Sequence, residues 1–182
     1  MKSPILSFIL LCAISFSISA QTCRADLKTS MLSINGTSSL HDWESVAHDF
    51  TFSVLLDSNK LKGLKGTILV RSIKSGKGIM DDKTYAAMEA EKYPEIRLIG
   101  EDLTIQNGKV MGKGTLTIHN VAKPIVIQAD FVKTTGGFTV KGNVALKMTD
   151  FGIDPPTAMF GSLVTGNDVV IAYAIVMNTM NL

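Results

Sequence analysis

The chain has 182 residues, and 46% of them are hydrophobic. Its 18 basic residues and 16 acidic residues give a formal net charge of +2 at pH 7, so the composition shows no electrostatic footprint for nucleic acid or an anionic membrane surface. The length allows one domain with a sizeable core and leaves little room for a second.

The first 20 residues have the three regions of a secretory signal peptide. Lys2 supplies a positive charge, an apolar run continues to Phe16, and small residues from Ser17 to Ala20 offer a cleavage site. The apolar run is too short for a stable membrane span. We therefore expect cleavage after Ala20, a mature domain of residues 21–182, a periplasmic or secreted location and no stable membrane anchor.

The two cysteines exclude an intramolecular disulfide in the mature chain. Cys12 lies within the leader, so Cys23 alone is exported and the fold must be held by its apolar core. A lone cysteine after a leader is also a candidate for lipidation, but Thr22 stands where a small residue is normally needed. The preferred interpretation is a free thiol near a flexible terminus.

Apolar residues recur with a period of two along most of the mature chain, which is typical of strands with one buried face. Phe50, Phe52 and Val54 share one face, for example, while Thr51 lies on the other. These runs predict eight strands. They lie at about residues 27–36, 44–56, 63–72, 95–105, 109–118, 122–134, 137–148 and 168–178.

The segment from Gly36 to Trp43 lies between the first two predicted strands and holds the single Trp and one of the three His of the chain. Its small hydroxyl residues favour a turn, so we expect the chain to change direction there. Two interpretations stay open from the residues alone. Either Trp43 is buried at the end of a barrel while His41 bonds to backbone, or the two side chains contact a ligand.

One segment departs from the strand pattern. Met80 to Glu91 is rich in Ala, Met, Glu and Lys and ends before Pro94, which predicts a single helix with Tyr85 and Met88 on one face. The segment from Asp150 to Asn167, which precedes the last strand, is predicted to be irregular.

Short turns such as Asn107-Gly108 and Gly136-Gly137 make neighbouring strands antiparallel. Eight such strands suit a sandwich or an up-and-down barrel, and we favour the barrel because it removes both sheet edges. The predicted fold is all-β: an eight-stranded antiparallel barrel with one capping helix. The last strand is apolar on both faces apart from Tyr173, so we expect its outer face to lie against the helix or against a second copy in a homodimer.

No residue pattern predicts a catalytic or metal centre. The three His lack the paired spacing of a zinc site, and Ser38 or Ser39 lies too close to His41 along a turn to act with it as a nucleophile. Asp150 to Gly152 copies a kinase tripeptide without the other kinase elements. Small inner residues such as Gly114 leave volume in the barrel, which either bulky neighbours or an apolar ligand would fill.

Together these motifs resemble those of the YceI-like family, which comprises exported lipocalin-like domains associated with polyisoprenoid binding. The matching segments occur in family order across about residues 26–178. They are Gly36–Trp43, Lys92–Ile96, Gly114–Ile118 continuing to Val121–Pro124, and Asp150–Ile153. The resemblance implies a lipocalin-like barrel with a helical cap, an apolar lumen for the long tail of a quinone or polyprenyl phosphate, and no chemical step.

The resemblance also places His41 and Trp43 near the barrel mouth and Phe151 in the loop before the last strand. Ala122 stands where most members have Thr. The predicted ligand contacts combine the motif positions with inner-face residues. They are His41, Trp43, Phe50, Phe52, Val54, Ile68, Val70, Tyr85, Met88, Leu98, Gly114, Leu116, Ile118, Phe131, Val140, Phe151 and Phe160.

The leading hypothesis is an exported carrier that holds a long isoprenoid lipid in its barrel. It needs no metal and no cofactor other than a bound isoprenoid lipid or quinone, and it has no nucleic-acid partner. The alternatives are an enzyme that acts on a hydrophobic substrate near His41, and a structural or stress protein whose barrel is filled by its own side chains.

Overall fold

The computed structural model describes residues 20–180, so the predicted leader lies outside the described residues apart from Ala20. Within this range the chain forms thirteen strands and one α-helix. The elements are β1 (Gln21–Ala25), β2 (Met31–Ser38), β3 (Trp43–Ala47), β4 (Phe50–Asp57), β5 (Lys60–Leu69), β6 (Ile73–Lys74), α1 (Gly78–Ala87), β7 (Glu95–Gly100), β8 (Leu103–Gln106), β9 (Lys109–Ile118), β10 (Val121–Thr134), β11 (Gly137–Lys147), β12 (Thr157–Ala158) and β13 (Leu163–Thr179). Short 3-10 helices lie at Val70–Ser72, Met148–Phe151 and Met159–Gly161.

Eight wall segments form a closed antiparallel barrel, which confirms the predicted fold class. Four of the segments are interrupted: β1 continues into β2, β3 into β4, β5 into β6, and β7 into β8. Each segment pairs antiparallel with the next along the chain. Strand β13 pairs with both β1 and β2, and this pairing closes the ring.

Three predicted boundaries differ most from the structure, at the first strand, the helix and the last strand. The last strand begins at Leu163 rather than 168 and so includes the end of the segment predicted to be irregular. The first wall segment begins at Gln21 rather than at residue 27; in β1 Cys23 alone is fully buried, so no alternation marks the strand. Its thiol is therefore part of the core. The helix ends at Ala87 rather than Glu91, because Glu89 has a φ of 45°, which helical backbone does not allow.

The prediction that α1 covers the outer face of the last strand was also wrong. Helix α1 lies over one end of the barrel beside β6, because it belongs to the connection between β6 and β7. Val170, on the outer face of β13, stays 39% exposed. Within the described range, no helix combines the length and the apolar character needed to cross a membrane.

The end of the barrel opposite α1 is filled by its own side chains, and we call this part the deep half. Cys23, Leu103, Val110 and Phe138 are all less than 2% exposed there. The ring of Phe138 stacks on Phe131 with centroids 5.1 Å apart. The four buried side chains therefore form a packed core, while Phe131 and Val140 on the inner face stay partly exposed.

Neighbouring side chains also fill the space beside two inner glycines. A Cβ atom added to Gly112 would lie 2.5 Å from Leu103 Cδ2, and one added to Gly114 would lie 2.7 Å from Ile127 Cδ1. These distances are shorter than any normal carbon contact. Bulky neighbouring side chains therefore occupy the space that these two glycines would otherwise leave empty in the barrel.

Within the described part of the chain, the barrel wall includes a stretch without backbone pairing between β10 and β11. These strands pair from Asp130–Lys141 to Thr134–Gly137, and their described pairing ends there. Toward α1 they separate, and the Tyr173 hydroxyl donates across the gap to the Gln128 carbonyl at 3.3 Å. We call this stretch the seam; Pro124, which has no N–H to donate, lies on its β10 edge.

Candidate ligand-binding cavity

A cavity of about 310 Å³ lies at the end of the barrel that α1 covers. Its walls are the last inner residues of the strands at that end, one face of α1 and the segment that follows β11. Most of these groups are apolar. The lining residues are Ile34, Ser38, His41, Trp43, Ser45, Ile73, Ile79, Met80, Lys83, Thr84, Ala87, Met88, Ile96, Ile118, Leu146, Lys147, Met148, Phe151, Ile153, Pro156, Thr157, Leu163, Thr165, Val169 and Ile171.

Trp43 forms one side of the cavity mouth and is fixed by its own hairpin. It pairs with Gly36 across β2 and β3, and its ring lies against that glycine, where an added Cβ would be 2.3 Å from Trp43 Cζ2. The indole Nε1–H donates to the Thr37 carbonyl at 2.9 Å. The half-buried ring is therefore held over the hairpin, with its polar atom paired and its apolar surface free to line the cavity.

The turn between β2 and β3 is held by serine hydroxyls. The Ser38 hydroxyl donates to the His41 carbonyl at 2.8 Å and accepts from the His41 amide at 3.2 Å. Ser39 attaches the turn to the start of β13, because its amide donates to the Val164 carbonyl and its hydroxyl accepts from the Val164 amide. His41 is exposed at the mouth, with Nδ1 2.8 Å from the Asp42 carbonyl oxygen.

Helix α1 supplies the roof of the cavity. Met80, Thr84, Ala87 and Met88 lie at helical spacing on one face, and all of them line the cavity. Tyr85, on another face of α1, attaches the helix to the barrel and is 8% exposed. Its hydroxyl lies 3.0 Å from the Arg71 carbonyl and 2.9 Å from the Ile73 carbonyl.

The start of the helix is attached through a buried carboxylate. Asp81 accepts hydrogen bonds from both the amide and the hydroxyl of Ser75, each at 2.7 Å. These bonds are the main reason that the pKa of Asp81 is lowered, with a further contribution from the Lys74 ammonium. The carboxylate is thus an ionised structural group that holds the loop before α1.

Two lysines lie at the rim of the cavity. The Lys83 ammonium donates to the Thr157 carbonyl at 2.7 Å and so links α1 to β12 across the mouth. Lys147 is paired with Asp168 at 3.0 Å. No carboxylate lines the cavity in the described structure, although Asp168 neutralises Lys147 beside it.

Phe151 closes another side of the cavity, in the loop before the last strand. It is 3% exposed, and its carbonyl oxygen lies 3.3 Å from His119 Nδ1. The other nitrogen of His119 is buried and lies 3.5 Å from Glu89 Oε1, while the ring meets Tyr93 edge-on at 4.8 Å. His119 therefore joins the Phe151 loop to the segment after α1.

The described residues show no arrangement for metal chemistry. Between residues 20 and 180, no three His, Cys, Asp or Glu side chains lie close enough to hold a metal ion. Ser38 and Ser39 make the turn and strand contacts described above. The arrangement suits the enclosure of an apolar group, with polar atoms available at the mouth.

The structure brings together a subset of the predicted contacts. Those that line the cavity are His41, Trp43, Met88, Ile118 and Phe151. Tyr85 lies behind the roof as its attachment, and Phe160 is fully exposed away from the cavity. The remaining predicted residues lie elsewhere in the barrel and do not line the cavity; they are Phe50, Phe52, Val54, Ile68, Val70, Leu98, Gly114, Leu116, Phe131 and Val140.

Sequence reasoning missed much of the cavity wall. Ile34, Ile96 and Ile171 are the inner residues at the α1 end of their strands, and a strand pattern identifies the inner face without saying which end stays empty. Met80 and Thr84 could have been predicted as lining residues from the sequence, because they lie at helical spacing from the predicted contact Met88. His119 was missed because its contacts come from segments distant in sequence.

A closed eight-stranded barrel with an apolar cavity beneath a helical cap defines a lipocalin-like protein. The YceI-like domain matches residues 18–177, and the chain belongs to this family. No curated protein matches the sequence.

Solved structures with the same fold include Burkholderia cenocepacia BcnA, with a TM-score of 0.73 and 19% identity over 83% of this chain and 98% of that one. A polyisoprenoid binding domain from Saccharophagus degradans, implicated in plant cell wall breakdown, has a TM-score of 0.70 and 12% identity over 89% and 100%. The Campylobacter jejuni YCEI protein has a TM-score of 0.59 and 23% identity over 75% and 84%. At these identities the similarity establishes the fold.

Proposed function

We propose that the protein binds an isoprenoid lipid, with its apolar tail in the cavity and its polar end at the mouth. The observation that carries the proposal is an apolar cavity that contains no carboxylate and lies beneath α1. The polyisoprenoid binding domain of Saccharophagus degradans shares the fold and supports an isoprenoid as the ligand. The proposal includes no chemical step.

The main gain in such binding comes from the burial of the apolar tail. At about 25 cal/mol per Å² of apolar surface, a tail that buries a few hundred Å² gains several kcal/mol before the costs of association. Lys83 and His41 at the mouth would then orient the polar end of the lipid. Neither residue is required for the apolar gain.

We also propose that the mature protein is exported without a lipid anchor. Cys23 would be the modified residue in a lipoprotein, but its side chain is 0% exposed inside the barrel, a position that supports the unmodified form. Fractionation of the host and terminal sequencing test this proposal: we expect soluble protein that begins at Gln21. Membrane-bound protein with modified Cys23 would contradict it.

Lipid binding is tested by native mass spectrometry of purified mature protein, followed by lipid extraction. We expect a bound isoprenoid that is recovered unchanged. An altered lipid would favour the enzyme alternative. Purified protein that carries no lipid and takes up none when lipid is added would favour a barrel without a ligand.

His41→Ala tests whether the mouth contacts the polar end of the lipid. Because His41 is exposed, we expect the free energy of unfolding to change by less than about 0.5 kcal/mol, while affinity for the intact lipid falls several-fold. His48→Ala is the matched control, since His48 is also exposed but does not line the cavity. Equal lipid affinities in the two variants would remove His41 from the binding site.

A further inference from the structure

We propose that the end of the protein that bears the cavity mouth docks reversibly on a lipid bilayer, with the side chains of Leu40, Ile79 and Phe160 inserted at its surface. We call these three residues the apolar rim. Docking of this kind rests on the proposed function, because the bilayer is then the place where the protein collects or delivers its isoprenoid lipid. The contact is transient and involves no anchor.

The apolar rim comes from three segments that surround the mouth. Leu40 lies in the turn between β2 and β3, Ile79 in the first turn of α1, and Phe160 in the loop between β12 and β13. Each of these segments also contributes to the cavity wall: His41 follows Leu40, Ile79 itself lines the cavity, and the two sides of the β12–β13 hairpin contribute as well. The three rim residues therefore lie at the same end of the barrel.

Hydrogen bonds join the three segments into one ring. The Lys83 ammonium of α1 donates to the Thr157 carbonyl at one side of the β12–β13 hairpin, at 2.7 Å. At the other side of the hairpin, the Val164 amide donates to the Ser39 hydroxyl of the β2–β3 turn, at 3.2 Å. The rim is thus held as a unit around the mouth.

The side chains of the rim are largely exposed although they are apolar. Phe160, Ile79 and Leu40 are 112%, 78% and 68% exposed, and among the other large apolar residues described only Val126 is exposed to a similar extent. Phe160 lies at the tip of the hairpin, beyond the pairs that join β12 to β13. Clustered apolar groups of this kind mark a surface that contacts a protein or a membrane.

A bilayer fits the rim better than a folded partner does. The three side chains project from separate tips and expose a few hundred Å² of apolar surface between them, whereas a stable protein interface buries about 800 Å² on each partner. Fluid lipid adapts to separate projecting groups, and its affinity for a protein grows with the apolar area that it buries. The cavity opens between the rim residues, so a docked bilayer faces the entrance for the ligand.

The charges beside the rim are of both signs. Lys77 and Lys83 lie on the α1 side of the mouth, while the exposed carboxylates of Asp42 and Asp154 lie next to residues that line the cavity. Such a mixture gives no preference for anionic lipid, so the gain comes from apolar insertion. Docking should therefore need only a zwitterionic bilayer and should change little with salt concentration.

Flotation of the mature protein with phosphatidylcholine vesicles tests the docking. The double variant Leu40→Ser and Phe160→Ser removes two exposed side chains that do not line the cavity, so the fold and the cavity should be kept. We expect its partition coefficient onto the vesicles to be at least about tenfold lower than that of the wild type, because the inserted apolar area is lost.

The matched control is the double variant Ile99→Ser and Val126→Ser. These residues are 58% and 71% exposed on the side of the barrel, and their loss should change the partition coefficient by less than about twofold. Equal losses in the two double variants would overturn the docking. Wild-type protein that does not float with the vesicles would also overturn it, and dimers that only the rim variant loses would then assign the rim to a second copy.

The single Trp of the chain reports which end of the protein docks. Trp43 lies at the mouth, so phosphatidylcholine with brominated acyl chains should quench its fluorescence in the wild type and in the control variant. The rim variant should show little quenching. Vesicle-bound wild type with unquenched Trp43 would place the contact on another face and overturn the proposal.

Farnesol, a prenyl alcohol, separates docking from ligand binding. Added from solution, it should bind the wild type and the rim variant with Kd values within about twofold of each other, whereas its transfer from vesicles to the rim variant should be at least about fivefold slower. Equal transfer rates would overturn the role of the rim. Failure of the wild type to bind farnesol from solution would instead contradict the proposed function, and flotation alone would then decide the docking.

Discussion

At the scale of single residues, the Trp43 and Gly36 pair determines the shape of the cavity mouth. The indole needs a neighbour without a side chain, because the Gly36 position lies directly against its ring. Its Nε1–H is satisfied by the Thr37 carbonyl, so the orientation of the ring is determined at both ends. Trp43 is half-buried at the mouth, and His41 Nδ1 lies 2.8 Å from a backbone carbonyl, as the first interpretation expected. A ligand contact by either side chain stays a prediction.

Gly36→Ala should therefore destabilise the protein and disturb the mouth. The added methyl group would overlap Trp43 Cζ2, at 2.3 Å, and overpacking of this kind costs about 1–3 kcal/mol. Chemical denaturation followed by Trp fluorescence measures the change. Gly136→Ala is the matched control, because no atom lies within 4 Å of its added Cβ; a loss as large in that variant would show that the Trp43 contact is not the cause.

At the scale of elements, helix α1 depends on its attachments to the barrel. It begins at Gly78, and Lys77 at its N-cap makes no side-chain capping bond. With 10 residues, it is too short to be stable alone. Tyr85 and Asp81 hold it to the segments around β6, and Lys83 holds it to β12. The roof of the cavity is therefore stabilised by a few specific polar contacts.

Tyr85→Phe should loosen this roof without emptying the core. The ring stays in place, but the carbonyls of Arg71 and Ile73 lose their shared donor, at a cost of about 0.5–1.5 kcal/mol. We expect faster hydrogen exchange across α1 and unchanged exchange in the deep half. Tyr93→Phe serves as the control, since among the described residues its hydroxyl bonds to the side chain of the neighbouring Lys92 and to no backbone carbonyl; equal effects in both variants would contradict the role of Tyr85.

At the scale of the whole molecule, closure of the barrel buries two groups that ionise at alkaline pH. Burial raises the pKa of the Cys23 thiol above its usual 9.0 and that of the Tyr173 hydroxyl above its usual 10.0. Below those values both groups are neutral in the folded and unfolded chain. Above them the unfolded chain releases protons that the folded barrel retains, so the free energy of unfolding falls as pH rises.

The expected result is a loss of stability that begins near pH 9 and steepens above pH 10. Tyr173→Phe should remove the steeper part, and Cys23→Ala the earlier part. Denaturation curves measured across this pH range at constant ionic strength check both expectations. A pH dependence that is identical in the wild type and both variants would assign the alkaline loss to other groups.

The sequence alone determined the class of fold, because the period-two pattern and short turns are local properties that specify eight antiparallel strands with one buried face. The period-two pattern did not identify residues 21–25 as a strand, because Cys23 alone of the five is fully buried. The motif from Gly36 to Trp43 likewise predicted a turn, because its hydroxyl residues bond to nearby backbone. Its place at the mouth was implied by the family resemblance.

Only the tertiary structure decided which part of the inner face lines a cavity. Phe52 and Ile34 both lie on inner faces, but one fills space beside Gly66 and the other borders the cavity. The difference depends on side chains that meet across the barrel from segments distant in sequence, and on a helix placed over one end. Packing between such segments is non-local, so the depth of the cavity is a property of the closed barrel and not of any one strand.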